Sequence, residues 1–77
     1  MIHIQRDELA KLDNLLISMP IPINDMRTIM KYRKRIGKRD YEDYRYGSSW
    51  LDRMLTRMDL ASMNRILKGY GIVVCSQ

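Results

Sequence analysis

The sequence predicts a mostly α fold, a compact bundle of about four short helices with a short extended C-terminal tail. Three observations carry this expectation. Apolar residues recur at three- and four-residue steps along most of the chain. Prolines and glycines punctuate it at Pro20-Ile21-Pro22, Gly37 and Gly69-Tyr70-Gly71. Near the end, the β-branched run Ile72-Val73-Val74 favours extended backbone. With 77 residues there is room for one small domain, residues 1–77. A chain of this size buries roughly 60% of its unfolded surface, so its stability is expected to be marginal.

The first helix is expected over about residues 7–19. Leu9, Leu12, Leu15, Leu16 and Met19 share one face, and Asp7 and Glu8 suit its positive N-terminal end. Pro20 and Pro22 stop it, since proline lacks the amide hydrogen a helix needs. The residues before Asp7 are expected to be mobile. A second helix is expected over 24–36, capped by Asn24, with Asp25 in its first turn. Met26, Ile29, Met30 and Ile36 form its apolar side, Tyr32 lies at the margin, and Gly37 is a natural terminator.

Residues 38–49 mix charges and aromatics without apolar periodicity and read as a linker with room for one helical turn. Order returns at Ser49, which with Asp52 approximates a capping box for a helix over 50–58. Trp50, Leu51, Met54, Leu55 and Met58 form its apolar face. Asp59 then suits the cap of a fourth helix over 60–68, with Leu60, Met63, Ile66 and Leu67 inward. From Ile72 the chain is expected either to be an extended tail or to form a lone strand able to pair with the sheet edge of another chain.

Charge is the most informative feature. The net charge is +5, yet Arg27, Lys31, Arg33, Lys34, Arg35, Lys38 and Arg39 crowd into thirteen residues that contain no acid. Such a localised positive field attracts polyanions or acidic protein surfaces. On a helix, Arg27, Lys31, Lys34 and Arg35 gather opposite the apolar side, within about a third of the circumference. Arg33 points into that apolar side, which suits a carboxylate of another chain or of this one, or a stem lying along the core with its head in water. Just downstream, Tyr41, Tyr44 and Tyr46, with Arg39 and Arg45 beside them, are of a type that stacks on unpaired bases.

Residues 50–68 also have the outline of a helix-turn-helix, with Ser62, Asn64, Arg65 and Lys68 outward on its second helix. The small residue and turn glycine usual in that motif are missing. Six methionines, Met19, Met26, Met30, Met54, Met58 and Met63, are expected to fill the core with flexible thioethers. If the core leaves some uncovered, Trp50, Met54 and Met58 form a patch for a protein partner or a second copy of the chain.

Catalytic and metal-binding classes find little support. His3 and Cys75 are the sole histidine and cysteine and stand at opposite ends of the sequence, so neither ligand spacing nor an internal disulfide is available. Asp40, Glu42 and Asp43 are flanked by Arg39 and Arg45 and suit ion pairs better than acid–base work. Gly47-Ser48-Ser49 lacks the phosphate-loop pattern. No apolar run approaches the roughly 20 residues of a membrane span, and no signal-peptide stretch opens the chain. The expectation is a cytoplasmic, non-enzymatic binding protein without a cofactor. Its expected partner is nucleic acid or a nucleoprotein complex, met through residues 27–39, Tyr41 and Tyr44. The alternative is an inhibitor or adaptor docking on an acidic surface of a larger protein. Either would be in the style of small accessory regulators of phages and mobile elements.

Overall fold

Two short strands drawn from opposite ends of the chain hold the molecule together. In the computed structural model, which describes residues 1–47 and 49–75 and all of their side chains but those of Asp43 and Tyr44, Ile2–Ile4 forms β1 and Ile72–Val74 forms β2. They pair in parallel, with Ile2 opposite Ile72, His3 opposite Val73 and Ile4 opposite Val74. Hydrogen bonds from Ile2 N–H to Gly71 C=O (2.7 Å) and from Cys75 N–H to Ile4 C=O (2.8 Å) bracket the pair. The N-terminus is therefore fixed in the sheet, contrary to the mobility expected, and β2 is not a lone strand. The alternation of Ile2, His3 and Ile4 was the available sign, since it buries Ile4 and exposes His3.

The outer edge of β2 is closed by a side chain. The carboxamide of Asn64 donates to Val74 C=O (2.9 Å) and accepts from Val74 N–H (2.8 Å). It thus exchanges the same two bonds a neighbouring strand would make. Gly71, at φ 76°, turns the chain from the last helix into β2. Nearby, the Tyr70 hydroxyl donates to the Asp25 carboxylate at 2.5 Å, and this bond raises the pKa of Tyr70 above its ordinary value of 10.0.

Three helices, rather than four, complete the fold. After a 3-10 turn at Arg6–Glu8, α1 spans Leu9–Ser18, buries Leu9, Leu12 and Leu16, and ends before Pro20. The second helix, α2, runs over Ile23–Tyr46, starting one residue before Asn24 and continuing ten residues past Ile36. The third, α3, runs unbroken over Trp50–Leu67, with the Ser49 hydroxyl accepting from Asp52 N–H (3.2 Å) at its start.

Both long helices run past their expected ends for identifiable reasons. Gly37 does not terminate α2. A Cβ there would come within 2.5 Å of Arg33 Nη1, so glycine supplies the room through which the Arg33 side chain passes. Residues 38–46 contain neither proline nor glycine and simply extend the helix. Likewise nothing between Trp50 and Leu67 breaks α3, and Asp59 serves as a buried ion-pair partner instead of a cap. Without a turn at Met58–Leu60 there is no helix-turn-helix, and Asn64 is already engaged by β2.

Ile4, Leu9, Leu12, Leu16, Ile29, Ile36, Leu60, Met63, Leu67, Ile72 and Val74 make one core. Every part of the fold contributes to it, but only over part of each long helix. Among the described residues from 37 to 55, none is buried. The molecule is accordingly elongated, 37 × 19 × 19 Å, with a packed base and a two-helix tip.

Candidate functional site

The continuation of α2 arranges the basic segment in a way that the shorter helix did not suggest. Arg27, Lys31, Lys34, Lys38, Tyr41 and Arg45 follow one another at steps of four, three, four, three and four residues. At 100° per residue these six fall within about 80° of the helix circumference, along roughly 27 Å of its length. All six side chains are exposed. No acid stands among them over residues 27–39, and Glu42 is the first to flank the row.

The remaining cations of the segment are engaged within the molecule. Arg33 makes a two-pronged ion pair with Asp13 of α1, Nε to Oδ1 and Nη2 to Oδ2, both at 3.0 Å. That resolves the Arg33 question in favour of a carboxylate of the same chain. Arg39 and Arg35 both reach Asp59 of α3, Arg35 at 3.3 Å. Asp59 is only 5% exposed, and two guanidiniums compensate the cost of burying its charge. Arg6, from the turn before α1, holds Asp40 at 2.5 Å. Four ion pairs thus fasten α1, its preceding turn and α3 to α2, and they sort the basic segment into two sets. Arg33, Arg35 and Arg39 brace the fold, while Arg27, Lys31, Lys34 and Lys38 face solvent.

The aromatic residues divide in the same manner. Tyr32 is half-buried on the base, flanked by Lys31 and Arg35 at 5.9 and 5.8 Å from its ring centre. Tyr41 and Tyr46 are exposed on the tip, and the Arg45 guanidinium lies 5.9 and 5.5 Å from their ring centres. Arg45 also donates to the Tyr41 hydroxyl at 3.3 Å. The side chain of Tyr44 lies outside the described residues. On α3, Trp50 is 63% exposed, with Leu51 and Met58 likewise exposed and Met54 half-buried. The six methionines therefore do not all serve the core. Met63 is fully buried, Met19, Met26 and Met30 pack at its margin, and Met58 is on the surface.

Sequence reasoning singled out Lys38 and Tyr41 but did not place them in line with Arg27, and it left Arg45 to one side. The missed signal was the spacing itself, a helical period written in cations instead of apolar residues.

Other chemistry-bearing residues are dispersed. Among the described residues no three His, Cys, Asp or Glu side chains come together. Of the acidic run read in the sequence, Asp40 is taken by Arg6, Glu42 is exposed, and the Asp43 side chain and Ser48 lie outside the described residues. A shallow open groove of about 530 Å3 runs between β1 and α1, walled by Ile2, Ile4, Leu15 and Lys11. Lys11 is bound there to Glu8, a contact that raises its pKa. No described helix is long and apolar enough to cross a membrane.

No protein-family model matches this chain, and no curated protein or solved structure proved similar to it. The functional reading therefore rests on the residues alone.

Proposed function

We propose that this chain is a small, cytoplasmic, non-enzymatic regulatory protein that contacts nucleic acid, alone or within a nucleoprotein complex, through the outer face of α2. One observation carries the reading. Four cations, Arg27, Lys31, Lys34 and Lys38, stand exposed in a single row, while their neighbours Arg33, Arg35 and Arg39 are committed to carboxylates of the fold. Burial of α1 and α3 against α2 does not need the exposed four, and keeping like charges together on one helix face costs stability through mutual repulsion. A polyanion removes that repulsion and gains entropy from released counterions.

Fluorescence anisotropy of labelled oligonucleotides between about 50 and 300 mM salt tests the proposal. Four contacts give a log–log salt slope of about −4 on duplex DNA or about −3 on a single strand. Lys31→Ala and Lys34→Ala should each weaken binding to every sequence and flatten that slope by about one unit. Failure to bind at the lowest salt would overturn the reading. Docking on an acidic protein surface, the alternative, would use the same row of cations but predicts no affinity for free oligonucleotides.

A further inference from the structure

The row of cations ends at a part of the molecule whose chemistry is different. Residues 41–58 carry three bases and three acids, so the tip adds no net charge to the stripe. It contributes aromatic surface instead: Tyr41, Tyr46 and Trp50 are all exposed, at the C-terminal end of α2 and the N-terminal end of α3. The core does not recruit these rings, because none of the described residues from 37 to 55 is buried.

We propose that the tip is a stacking platform for unpaired bases, so that the ligand tracked by the α2 stripe is single-stranded nucleic acid. This deepens the reading above and rests on the stripe binding phosphates. Two features distinguish a single strand from a duplex. First, the stripe is one file of cations within about 80° of arc, which follows one backbone. A helix seated in a duplex groove has phosphates on both flanks, and among the described residues the cations of α2 beside the stripe, Arg35 and Arg39, are tied to Asp59. Second, rings at the end of a basic track suit bases free to leave their own stack, and every base presents a π-face. Arg45, lying against both Tyr41 and Tyr46, joins the phosphate-binding row to the rings.

The test sets three labelled probes of equal length, an oligo-dT strand, an oligo-rU strand and a blunt mixed-sequence duplex, against the wild-type chain and three variants. Trp50 is the sole tryptophan, so its emission reports stacking directly and should be quenched by the single strands and not by the duplex. Trp50→Ala and Tyr46→Ala should each weaken single-strand binding by about fivefold or more, the usual loss per stacked base. They should leave the salt slope unchanged, whereas Lys34→Ala flattens it. Both side chains are largely exposed, so neither variant puts folding at stake. Equal affinity for the duplex, or full single-strand affinity in Trp50→Ala, would overturn the stacking platform while leaving the stripe intact. So would self-association of the wild type that Trp50→Ala abolishes, because a second copy would then occupy the tip. Absence of binding to all three probes would overturn the stripe as well.

Discussion

The same two helices behave differently at their two ends. Over the base, α2 and α3 contribute Ile29, Ile36, Leu60, Met63 and Leu67 to a core shared with α1 and both strands. Over the tip they have only each other, and Tyr46, Trp50, Leu51 and Met58 stay in water. The boundary between the two regions is polar. Arg39 meets Asp59 and Arg6 meets Asp40 just where the apolar contacts run out. A helix can therefore outrun its hydrophobic support when nothing in its sequence breaks it. The unsupported turns are then free to carry side chains chosen for something other than packing.

The sharpest way to break this division is a pair of matched truncations. Met63→Ala in the base should cost about 2–5 kcal/mol, from lost burial and the cavity left behind. Met58→Ala, one and a half turns earlier on the same helix, should change stability by no more than about 0.5 kcal/mol. Urea unfolding of both, compared at constant slope, would show it. Similar losses would mean that the tip is packed as the base is.

The boundary itself should come next in magnitude. Asp59→Ala would leave the Arg39 guanidinium, 16% exposed, without its carboxylate. The expected loss is about 3 kcal/mol, the lower end of the range for a broken buried pair, because Arg35 keeps much of its head in water. Replacing the pair together, Arg39→Met with Asp59→Leu, should recover most of it. If the double variant were as unstable as the single one, the contact would be specifying geometry beyond charge neutralisation.

How much of this was legible depends on what sets each element. The first helix, the apolar faces of the base and the Ser49 cap could be read directly, since apolar spacing, Pro20 and a capping hydroxyl act locally. The extent of α2 could not. Gly37 usually marks an end, and its actual purpose depends on Arg33 reaching Asp13, a residue twenty positions away. Beyond it, the side of α2 that meets its neighbours is lined by Arg39 and Asp40 instead of apolar residues, so the pattern that betrays a helix lapses while the helix goes on. Asp59 misled for the same reason: a carboxylate between two apolar runs reads as a cap unless its distant arginines are known. The site was half legible. The basic run was plain, but sorting braces from free cations needed the positions of Asp13 and Asp59.

The joining of the chain's ends gives a smaller effect. Asn64→Ala removes both hydrogen bonds that satisfy Val74 on the outer edge of β2. The loss should be about 1–3 kcal/mol, the cost of leaving partly buried peptide groups unpaired. Hydrogen exchange should localise it, with the Val74 amide deprotected well before those of the α3 core. Unchanged protection at Val74 would mean that another group closes the edge.

The smallest effect is also the most specific to how α2 passes from base to tip. Gly37→Ala relieves the entropic cost of glycine in a helix, a gain of about 0.8–1 kcal/mol when nothing opposes it. Here the new Cβ would stand 2.5 Å from Arg33 Nη1, so the guanidinium must shift, which disturbs the pair that its Nε and Nη2 make with Asp13. The pair is partly exposed, with worth comparable to the helix gain, so the single substitution should come out near neutral. In an Arg33→Ala background the obstacle is absent, and Gly37→Ala should then stabilise by nearly its full propensity gain. The difference between the two backgrounds, about 0.5–1 kcal/mol in a double-mutant cycle, isolates the coupling. If alanine helped equally in both, the glycine would not be keeping a path for Arg33. The brace between α1 and α2 would then tolerate a side chain at the point where the supported part of α2 gives way to the free one.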